Sequence, residues 1–201
     1  MDIERAVRWN NNIHFHRVIL DAVPPNAQTA LDVGTGNGLL AAALHKRVPA
    51  VTGLDPDARV LKSAHGEDHD VTWIHGDVLT YPLPHASFDV VASVATIHHL
   101  PDLDQTFSRF AELAAPGGVI AVVGLARSSR PLDYVYDVAG LVQQRSYERR
   151  YGIWEHSAPV VWPPPHTYRE VRRSAARVLS GAQWIRLAMW RYAIIWHKPR
   201  N

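Results

Sequence analysis

Three glycines spaced two apart follow an aspartate at the end of a short apolar run. The segment is Asp32-Val33-Gly34-Thr35-Gly36-Asn37-Gly38. Glycine has no Cβ, so it accepts a positive φ and lets a ligand or a second backbone come close. A strand, a tight turn and the start of a helix form the place where an open α/β sheet holds a nucleotide-like ligand. The spacing differs from the dinucleotide fingerprint Gly-x-Gly-x-x-Gly, because position 39 is leucine.

Two further aspartates close the next two predicted strands. Asp55 lies at the end of the second strand and Asp77 at the end of the third. A carboxylate at position 55 suits the vicinal hydroxyls of a ribose, because charged hydrogen bonds are the strong ones. Asp77 suits an exocyclic amine of a base, and the Val78 main-chain N–H suits a ring nitrogen. With Asp32, these carboxylates favour a nucleoside that carries no phosphate, since a pyrophosphate would be repelled whereas a sulfonium with an amino group would not.

The elements that must position these residues alternate five times between strand and helix. The expected strands are 29–33, 50–54, 70–74, 88–94 and 119–124. This order predicts a doubly wound parallel sheet with right-handed crossovers. Residues 132–149 predict a long helix, and Thr167-Tyr168-Arg169-Glu170 has the form of a capping box that opens a helix to about residue 179. Two β-prone runs within 183–196 are too close together for a crossover helix, so they are expected to be antiparallel.

Several of these segments resemble successive motifs of the class I S-adenosylmethionine-dependent methyltransferases, in particular the subgroup that includes ubiquinone and menaquinone biosynthesis enzymes. The segments are Asp32 to Gly38, Asp55, Gly76-Asp77-Val78, Phe88-Asp89-Val90-Val91 and Leu113-Ala114-Ala115-Pro116-Gly117-Gly118. The resemblance extends over about residues 29–124. It implies an α/β fold with a doubly wound, mostly parallel seven-stranded sheet and an antiparallel last strand, which is a Rossmann-like methyltransferase fold. It also implies S-adenosylmethionine as cofactor and methyl transfer as the reaction.

The resemblance further implies a role for each matching position. Gly34, Thr35, Gly36 and Gly38 would hold the methionine part of the cofactor together with Asp32. Asp55, with Pro56 beside it, would bind the ribose, and Asp77 and Val78 would bind the adenine. Ser93 and Val94, at the end of the fourth strand, would lie near the transferring methyl group.

Two histidines, His98 and His99, follow the fourth strand and are candidates for a general base. A histidine pKa near neutrality suits removal of a proton from an acceptor hydroxyl or acidic carbon. The alternative is that they anchor the loop by hydrogen bonds. Metal binding is not expected, because no carboxylate stands at ligand spacing from them.

The acceptor is expected to be a small apolar or aromatic molecule. Its pocket is predicted from the leader around Trp9–His16, the loop with the two histidines, and residues 126–165. After the fourth strand the chain reads Ser93-Val94-Ala95-Thr96, whereas amino-directed DNA and protein-glutamine methyltransferases carry an Asn/Asp-Pro-Pro-aromatic tetrad. The net charge of +2 is too small to indicate nucleic acid. A non-catalytic binding module or partner subunit, and an NAD(P)-dependent oxidoreductase, remain alternatives.

The bulk composition predicts one domain. The chain has 201 residues, of which 47% are hydrophobic, and divides into a helical leader (1–28), a cofactor-binding core (29–124) and an acceptor-side region (125–201). It has no cysteine, which excludes disulfides, thiolate metal sites and thiol nucleophiles. We expect a cytoplasmic protein, because the N-terminus lacks a signal-peptide core and no apolar run reaches the roughly 18 residues that span a bilayer. The oligomeric state stays open.

Overall fold

A single seven-stranded sheet organises the chain in the computed structural model, which describes residues 8–155, 157 and 161–200. The strand order is β3-β2-β1-β4-β5-β7-β6. The strands are β1 Thr29–Val33, β2 Ala50–Asp55, β3 Thr72–His75, β4 Phe88–Val94, β5 Ala114–Leu125, β6 Gln183–Arg186 and β7 Arg191–His197. The helices are α1 Asn11–His14, α2 His16–Ala22, α3 Leu39–His45, α4 Ala58–Ala64, α5 Leu103–Leu113, α6 Pro131–Tyr151 and α7 Tyr168–Val178, with a 3₁₀ turn over Ile97–His99.

The pairing confirms the predicted fold class. Strands β1 to β5 are parallel, and β7 is antiparallel to both β5 and β6. The strand order reverses between β1 and β4, so the sheet has a topological switch point beside the end of β1. Ligands of open α/β sheets bind in the crevice that such a reversal leaves at the carboxyl ends of the strands.

The fifth strand differs from the sequence prediction at its start. It begins at Ala114, directly after α5, and the Pro116-Gly117-Gly118 segment lies inside it. The register with β4 shifts between Phe88 and Val90, as a β-bulge does. Gly117 has a φ of +79°, and a Cβ on Gly118 would stand 2.9 Å from the Asp89 carbonyl oxygen. The helix has already ended at Leu113, and the glycines instead let the strand pair closely with β4.

The hydrophobic core covers both faces of the sheet. On one face Phe107 and Phe110 of α5 pack with Val171 of α7 against the strands. On the other face Ile19 of α2 and Leu44 of α3 do the same. Alternate residues of β4 point to the two layers, which is why this strand is an almost unbroken apolar run in the sequence.

The two terminal regions contribute to opposite layers of the core, with Ile19 of α2 on one face of the sheet and Val171 of α7 on the other. The capping box at Thr167 and Glu170 is present as predicted and opens α7. The long α6 lies mostly in solvent. Its Gly140 is buried and packs closely on the turn before β7, where a Cβ would stand 2.6 Å from the Met189 nitrogen. Within the described ranges, no helix combines the length and the apolar character needed to cross a bilayer.

Candidate functional site

The loop after β1 is bound to the end of β2. The Gly34 and Thr35 nitrogens both donate to the Leu54 carbonyl, at 2.8 and 3.0 Å. The Gly36 nitrogen donates to the Asp55 carboxylate at 2.9 Å. These bonds close the glycine turn onto the second strand, so the carboxylate predicted for a ribose lies directly beside the turn predicted for the methionine part.

Packing against other protein atoms explains two of the glycines. All three glycines of the turn have positive φ values, +69° at Gly34, +54° at Gly36 and +81° at Gly38. A Cβ on Gly34 would stand 2.1 Å from the Thr96 hydroxyl oxygen, and one on Gly38 would stand 2.6 Å from the Trp73 ring. Gly34 therefore lets the loop after β4 approach the loop after β1, and Gly38 lets α3 start beside β3 and α4.

Asp32 is a buried carboxylate at the floor of the site, 1% exposed. It accepts a 2.7 Å hydrogen bond from the Thr35 hydroxyl. Burial raises the pKa of Asp32 to about 7; the Thr35 hydrogen bond opposes the shift and the neighbouring charge of Asp55 adds to it. The side chain therefore changes charge near neutral pH, at the end of the cavity that would receive a cationic cofactor.

Asp55 is also largely buried, with 8% exposure, and it accepts hydrogen bonds from two main-chain nitrogens. These are the Gly36 nitrogen and the Asp57 nitrogen, each at 2.9 Å. A carboxylate has about four acceptor positions, so two remain for hydroxyl donors. Pro56 lies next to it in the same wall.

A cavity of about 610 Å³ opens over these residues. Its described lining includes nine of the thirteen residues predicted for the site. They are Asp32, Gly34, Thr35, Gly36, Asp55, Pro56, Val94, His98 and His99. Such a volume lies within the range of about 300–1,000 Å³ that is usual for small-molecule sites.

The other four predicted residues are not part of this lining. Gly38 caps the start of α3 behind the turn. Asp77 is exposed and accepts from the Leu79 nitrogen at 2.8 Å, and Val78 is buried with its carbonyl bonded to Arg109. Both stay near Asp55, because the Gly76 nitrogen donates to the Asp55 carbonyl at 3.0 Å.

Ser93 requires a correction, because its hydroxyl faces the interior of the sheet. It is fully buried and donates to the Val33 carbonyl at 3.0 Å. The side chain thereby ties β4 to the end of β1. The wall near the expected methyl position is instead built by Val94, Ala95 and Thr96. Ala95 has a φ of +54°, a conformation that costs a non-glycine residue of order 1–3 kcal/mol and is concentrated at functional sites.

The two histidines have different surroundings. His98 is 7% exposed, and its Nδ1 has no hydrogen-bond partner in the described part of the chain. Burial lowers the pKa of His98 to about 3, and the charges of His99, Arg191 and His166 lower it further. His99 is exposed; burial lowers its pKa while the charge of Asp55 opposes that shift. His98 is therefore neutral at pH 7.

The leader forms the opposite wall of the cavity, where the acceptor pocket was predicted. Trp9 stacks on Tyr147 of α6 with ring centroids 5.6 Å apart. Its carbonyl accepts from the Trp154 nitrogen at 2.7 Å, and the Asn10 amide donates to the Trp154 carbonyl at 3.2 Å. Residues 9–13 and His16 line the cavity, together with Gln144, Glu148, Trp154 and Trp162. The cavity thus has a wall of glycines and carboxylates facing a mainly aromatic and amide wall.

Three residues of the lining with specific features are not among those predicted from the sequence. In the sequence, Ala95 and Thr96 indicate only that the Asn/Asp-Pro-Pro-aromatic tetrad of amino-directed methyltransferases is absent. Arg191 begins β7 and is 6% exposed inside the cavity wall. The available signal was a charged residue at the head of the apolar run Arg191-Tyr192-Ala193-Ile194-Ile195-Trp196.

The sheet is mostly parallel and seven-stranded, and a glycine turn and a carboxylate lie beside a cavity at its switch point. These features define a Rossmann-like methyltransferase. Comparison with known proteins agrees. The family model described as "Methyltransferase domain" matches residues 31–122. An uncharacterized methyltransferase of Mycobacterium tuberculosis is 40% identical over 193 residues, which is 95% of this chain and 98% of that protein. The chain therefore belongs to the S-adenosylmethionine-dependent methyltransferases, as its sequence predicted, and S-adenosylmethionine is the cofactor of that family.

More distant relatives show how widely the acceptors of similar proteins differ. A trans-aconitate 2-methyltransferase of Shigella dysenteriae is 26% identical over 155 residues, covering 71% of this chain and 59% of that one. A geranyl diphosphate C-methyltransferase of Streptomyces coelicolor, solved with S-adenosyl-L-homocysteine, has the same fold. Its TM-score is 0.66 at 14% identity, with 92% of this chain and 79% of that chain covered. The family assignment decides against the nicotinamide-dependent alternative, and the acceptor is left open.

Proposed function

We propose that this protein transfers a methyl group from S-adenosylmethionine to a small-molecule acceptor inside the cavity over the carboxyl edge of the sheet. The observation that carries the proposal is the cavity itself, about 610 Å³, which joins the glycine turn to the leader and α6. One wall has the features of a nucleoside site and the other is aromatic. Holding both reactants in one cavity is what a reaction between two small molecules requires.

The residues fit the cofactor on the β1–β2 side of the cavity. The turn at Gly34–Gly36 would border the methionine part, and Asp32 and Asp55 offer negative charge to its amino group and ribose hydroxyls. The adenine would extend toward Asp77 and Val78, beyond the described lining. S-adenosylmethionine supplies a methyl group already activated on a sulfonium, so the chain has no covalent work to do.

The chain's contribution is then mainly orientation. Holding the nucleophile, the methyl carbon and the sulfur in line is worth roughly 7–11 kcal/mol relative to free reactants. Val94, Ala95 and Thr96 form the wall where β4 ends, between the carboxylates and the leader. If the nucleophile carries a proton, His99 is the better candidate to receive it, because burial lowers the pKa of His98 to about 3 and makes it a weak base.

The acceptor side favours a small molecule over a polymer. Trp9, Trp154 and Trp162 line the cavity, and the leader is tied to residue 154 by two hydrogen bonds. A relative named for a small tricarboxylic acid, trans-aconitate, supports the same size class. An aromatic lining of this kind supports a small molecule as the acceptor.

A methyl-transfer screen tests the proposal. The protein is incubated with methyl-labelled S-adenosylmethionine and, in separate reactions, with a metabolite extract and with total RNA and protein from the same cells. We expect label in the small-molecule fraction only. Label in RNA or protein, or no transfer to any fraction by a protein that binds S-adenosylhomocysteine, contradicts it. An Asp55→Ala variant controls for transfer that does not depend on this site.

A further inference from the structure

Arg191 lies on the acceptor side of the cavity. It is the first residue of β7 and pairs with Leu125, the last residue of β5, and both line the cavity. In the strand order, β7 is two strands beyond β4, where the methyl group would lie. Because adjacent strands are about 4.8 Å apart, Arg191 is displaced by roughly 10 Å from the end of β4, away from Asp32 and Asp55.

The guanidinium of Arg191 is buried without an acidic partner in the described part of the chain. Its Nη2 donates to the Asn12 side-chain oxygen at 2.8 Å and its Nη1 to the Met189 carbonyl at 3.2 Å. Its Nε has no partner among the described residues. Guanidinium has five N–H donors, so these bonds leave donors unused. Burial lowers the pKa of Arg191 to about 10, so it stays charged at pH 7.

Two other arginines of the chain have the carboxylate partner that Arg191 lacks among the described residues. Arg186, which begins the same turn one strand away, stands 3.5 Å from the Asp137 carboxylate. Arg8 pairs with Glu67 at 2.6 Å. A buried charge without an opposite charge costs several kcal/mol, and folded proteins keep one only where something compensates it. The described residues give Arg191 only the neutral oxygens of Asn12 and Met189, so an opposite charge would come from the cavity that it lines.

The turn that places Arg191 is itself strained. Met189 and Trp190 both have positive φ values, +52° and +58°, and the Arg191 nitrogen donates to the Ala188 carbonyl at 3.1 Å. This is the form of a type I′ hairpin turn, which strongly prefers asparagine and glycine. Neither residue is favoured there, and strain of this kind persists where the surrounding structure enforces it. Here Trp190 is held against Trp162 of the cavity wall.

We propose that Arg191 binds an oxyanion of the methyl acceptor, which makes the acceptor a small organic acid. The inference rests on the proposed function, since it takes this cavity to be the site of methyl transfer. The lining also has the carboxylates of Asp57, Glu148 and Glu155. An acid in the cavity is repelled from all of these and from Asp32 and Asp55, so its charged end lies at Arg191. The rest of the molecule then lies across the ends of β4 and β5, against the aromatic leader. A carboxylate fits best, because it matches the planar guanidinium donors of arginine.

A binding experiment with three matched probes tests this inference. Benzoate, benzamide and phenyl phosphate are titrated into the protein saturated with S-adenosylhomocysteine, by calorimetry or ligand-observed NMR. We expect benzoate to bind at least tenfold more tightly than benzamide in the wild type. In Arg191→Met the two should bind within twofold of each other. Tighter binding of phenyl phosphate than of benzoate supports an oxyanion site and assigns it to phosphate.

Two further variants keep the result decisive. Arg191→Lys retains the charge without the planar fork and should keep an intermediate preference, which covers the case where Arg191→Met does not fold. Arg177→Met removes an exposed arginine that pairs with Asp104, and it should leave the preference unchanged. Equal binding of acid and amide by the wild type, or a preference that survives in Arg191→Met, overturns the inference. Neither result affects the proposed function, which fails instead if S-adenosylhomocysteine does not bind.

Discussion

The main-chain nitrogen of Gly36 donates a 2.9 Å hydrogen bond to the carboxylate of Asp55. This bond joins the loop after the first strand to the end of the second, nineteen residues further along the chain. The other carboxylate oxygen accepts from the Asp57 nitrogen. Asp55 thus has two tasks: it shapes the glycine turn, and it offers its remaining acceptor positions to the cavity.

Asp55→Ala should therefore weaken cofactor binding and also loosen the turn. We expect a loss of about 1.5–3 kcal/mol in the binding of S-adenosylhomocysteine, the usual contribution of a hydrogen bond to a charged group. That corresponds to an increase in Kd of roughly 10- to 150-fold. Calorimetric titration gives the number. Asp102→Ala is the matched control, because Asp102 caps α5 through the Gln105 nitrogen and does not line the cavity.

The control separates binding from stability. Loss of a helix cap costs about 1 kcal/mol, so Asp102→Ala should lower the unfolding midpoint and leave the Kd unchanged. An Asp55→Ala protein that is folded and binds with the wild-type Kd would refute the ribose role.

Gly34→Ala should destabilise the fold chiefly through Thr96. A Cβ at position 34 would stand 2.1 Å from the Thr96 hydroxyl oxygen and 2.3 Å from its methyl carbon. Overpacking of this kind costs typically 1–3 kcal/mol, and the positive φ of +69° adds roughly 1–2 kcal/mol for any L-residue. The double variant Gly34→Ala/Thr96→Gly should recover the stability lost to overpacking. It should keep the loss that the positive φ causes. Urea unfolding of the single and double variants measures the coupling, and purely additive effects would show that Thr96 is not the cause.

This pair shows what the sequence could and could not reveal. The strand ends at Val33, Asp55 and Val94 follow from short apolar runs that end in a polar residue or turn, and the structure has them at those positions. The close approach of Gly34 to Thr96 depends on the pairing of β1 with β4, which are about sixty residues apart. The glycine turn at Gly34 could be recognised from the sequence, but its contact with Thr96 could not.

The missed features share that cause. The bulge beside Pro116-Gly117-Gly118 depends on the register of β5 against β4, which no local pattern gives. Arg191 meets Asn12 across the whole length of the chain. Neither side chain has a local pattern that points to the other, so their contact could be read only from the folded chain.

The stability of the protein should depend on pH through Asp32. Its pKa is about 7 in the folded chain and about 3.9 when unfolded, so the folded state binds the proton more tightly. Its contribution therefore falls as the pH rises from about 4 to 7 and is constant above that range. Asp32→Asn should gain stability relative to the wild type by up to a few kcal/mol between pH 5 and pH 8. Urea unfolding at both pH values checks it.

A second variant tests the cause of that pH dependence. Thr35→Val removes the hydroxyl that donates to Asp32 and opposes the rise of its pKa. It should raise the pKa of Asp32 further and extend the loss of stability to higher pH, whereas Asp32→Asn should flatten the pH dependence. An equal stability difference between Asp32→Asn and wild type at pH 5 and pH 8 would show that Asp32 does not titrate in this range.

His98→Ala and His99→Ala should slow turnover without weakening the binding of S-adenosylhomocysteine, and His99→Ala should have the larger effect, because burial lowers the pKa of His98 to about 3. A general base contributes about two to four powers of ten where the nucleophile must lose a proton. Turnover is measured with the acceptor found by the labelled-methyl screen. Wild-type rates in both variants would assign the two histidines to the alternative role of anchoring the loop.

His98 also has a prediction that needs no acceptor. Its pKa of about 3 in the folded chain lies below the unfolded value of about 6.5, so the folded state disfavours protonation. The wild type should lose stability from this group as the pH falls from about 6.5 toward 3. His98→Gln should remove that part of the loss, and an unchanged acid-side slope would place the histidine in a more solvated site than its 7% exposure indicates.

Trp9→Ala should detach the leader from α6 and open the cavity on its acceptor side. The Trp9 ring stacks on Tyr147, and the residue is 6% exposed. Removal of a buried tryptophan side chain costs about 3–5 kcal/mol when nothing refills the space. We expect faster amide hydrogen exchange over residues 10–16, while the Kd of S-adenosylhomocysteine changes less than in Asp55→Ala. Tyr151→Ala is the control, because Tyr151 is exposed and stacks only on the far side of Tyr147. Unchanged amide exchange in the leader of Trp9→Ala would mean that the Trp9 ring is not needed to hold the leader. Its two hydrogen bonds to the Trp154 backbone would then be sufficient.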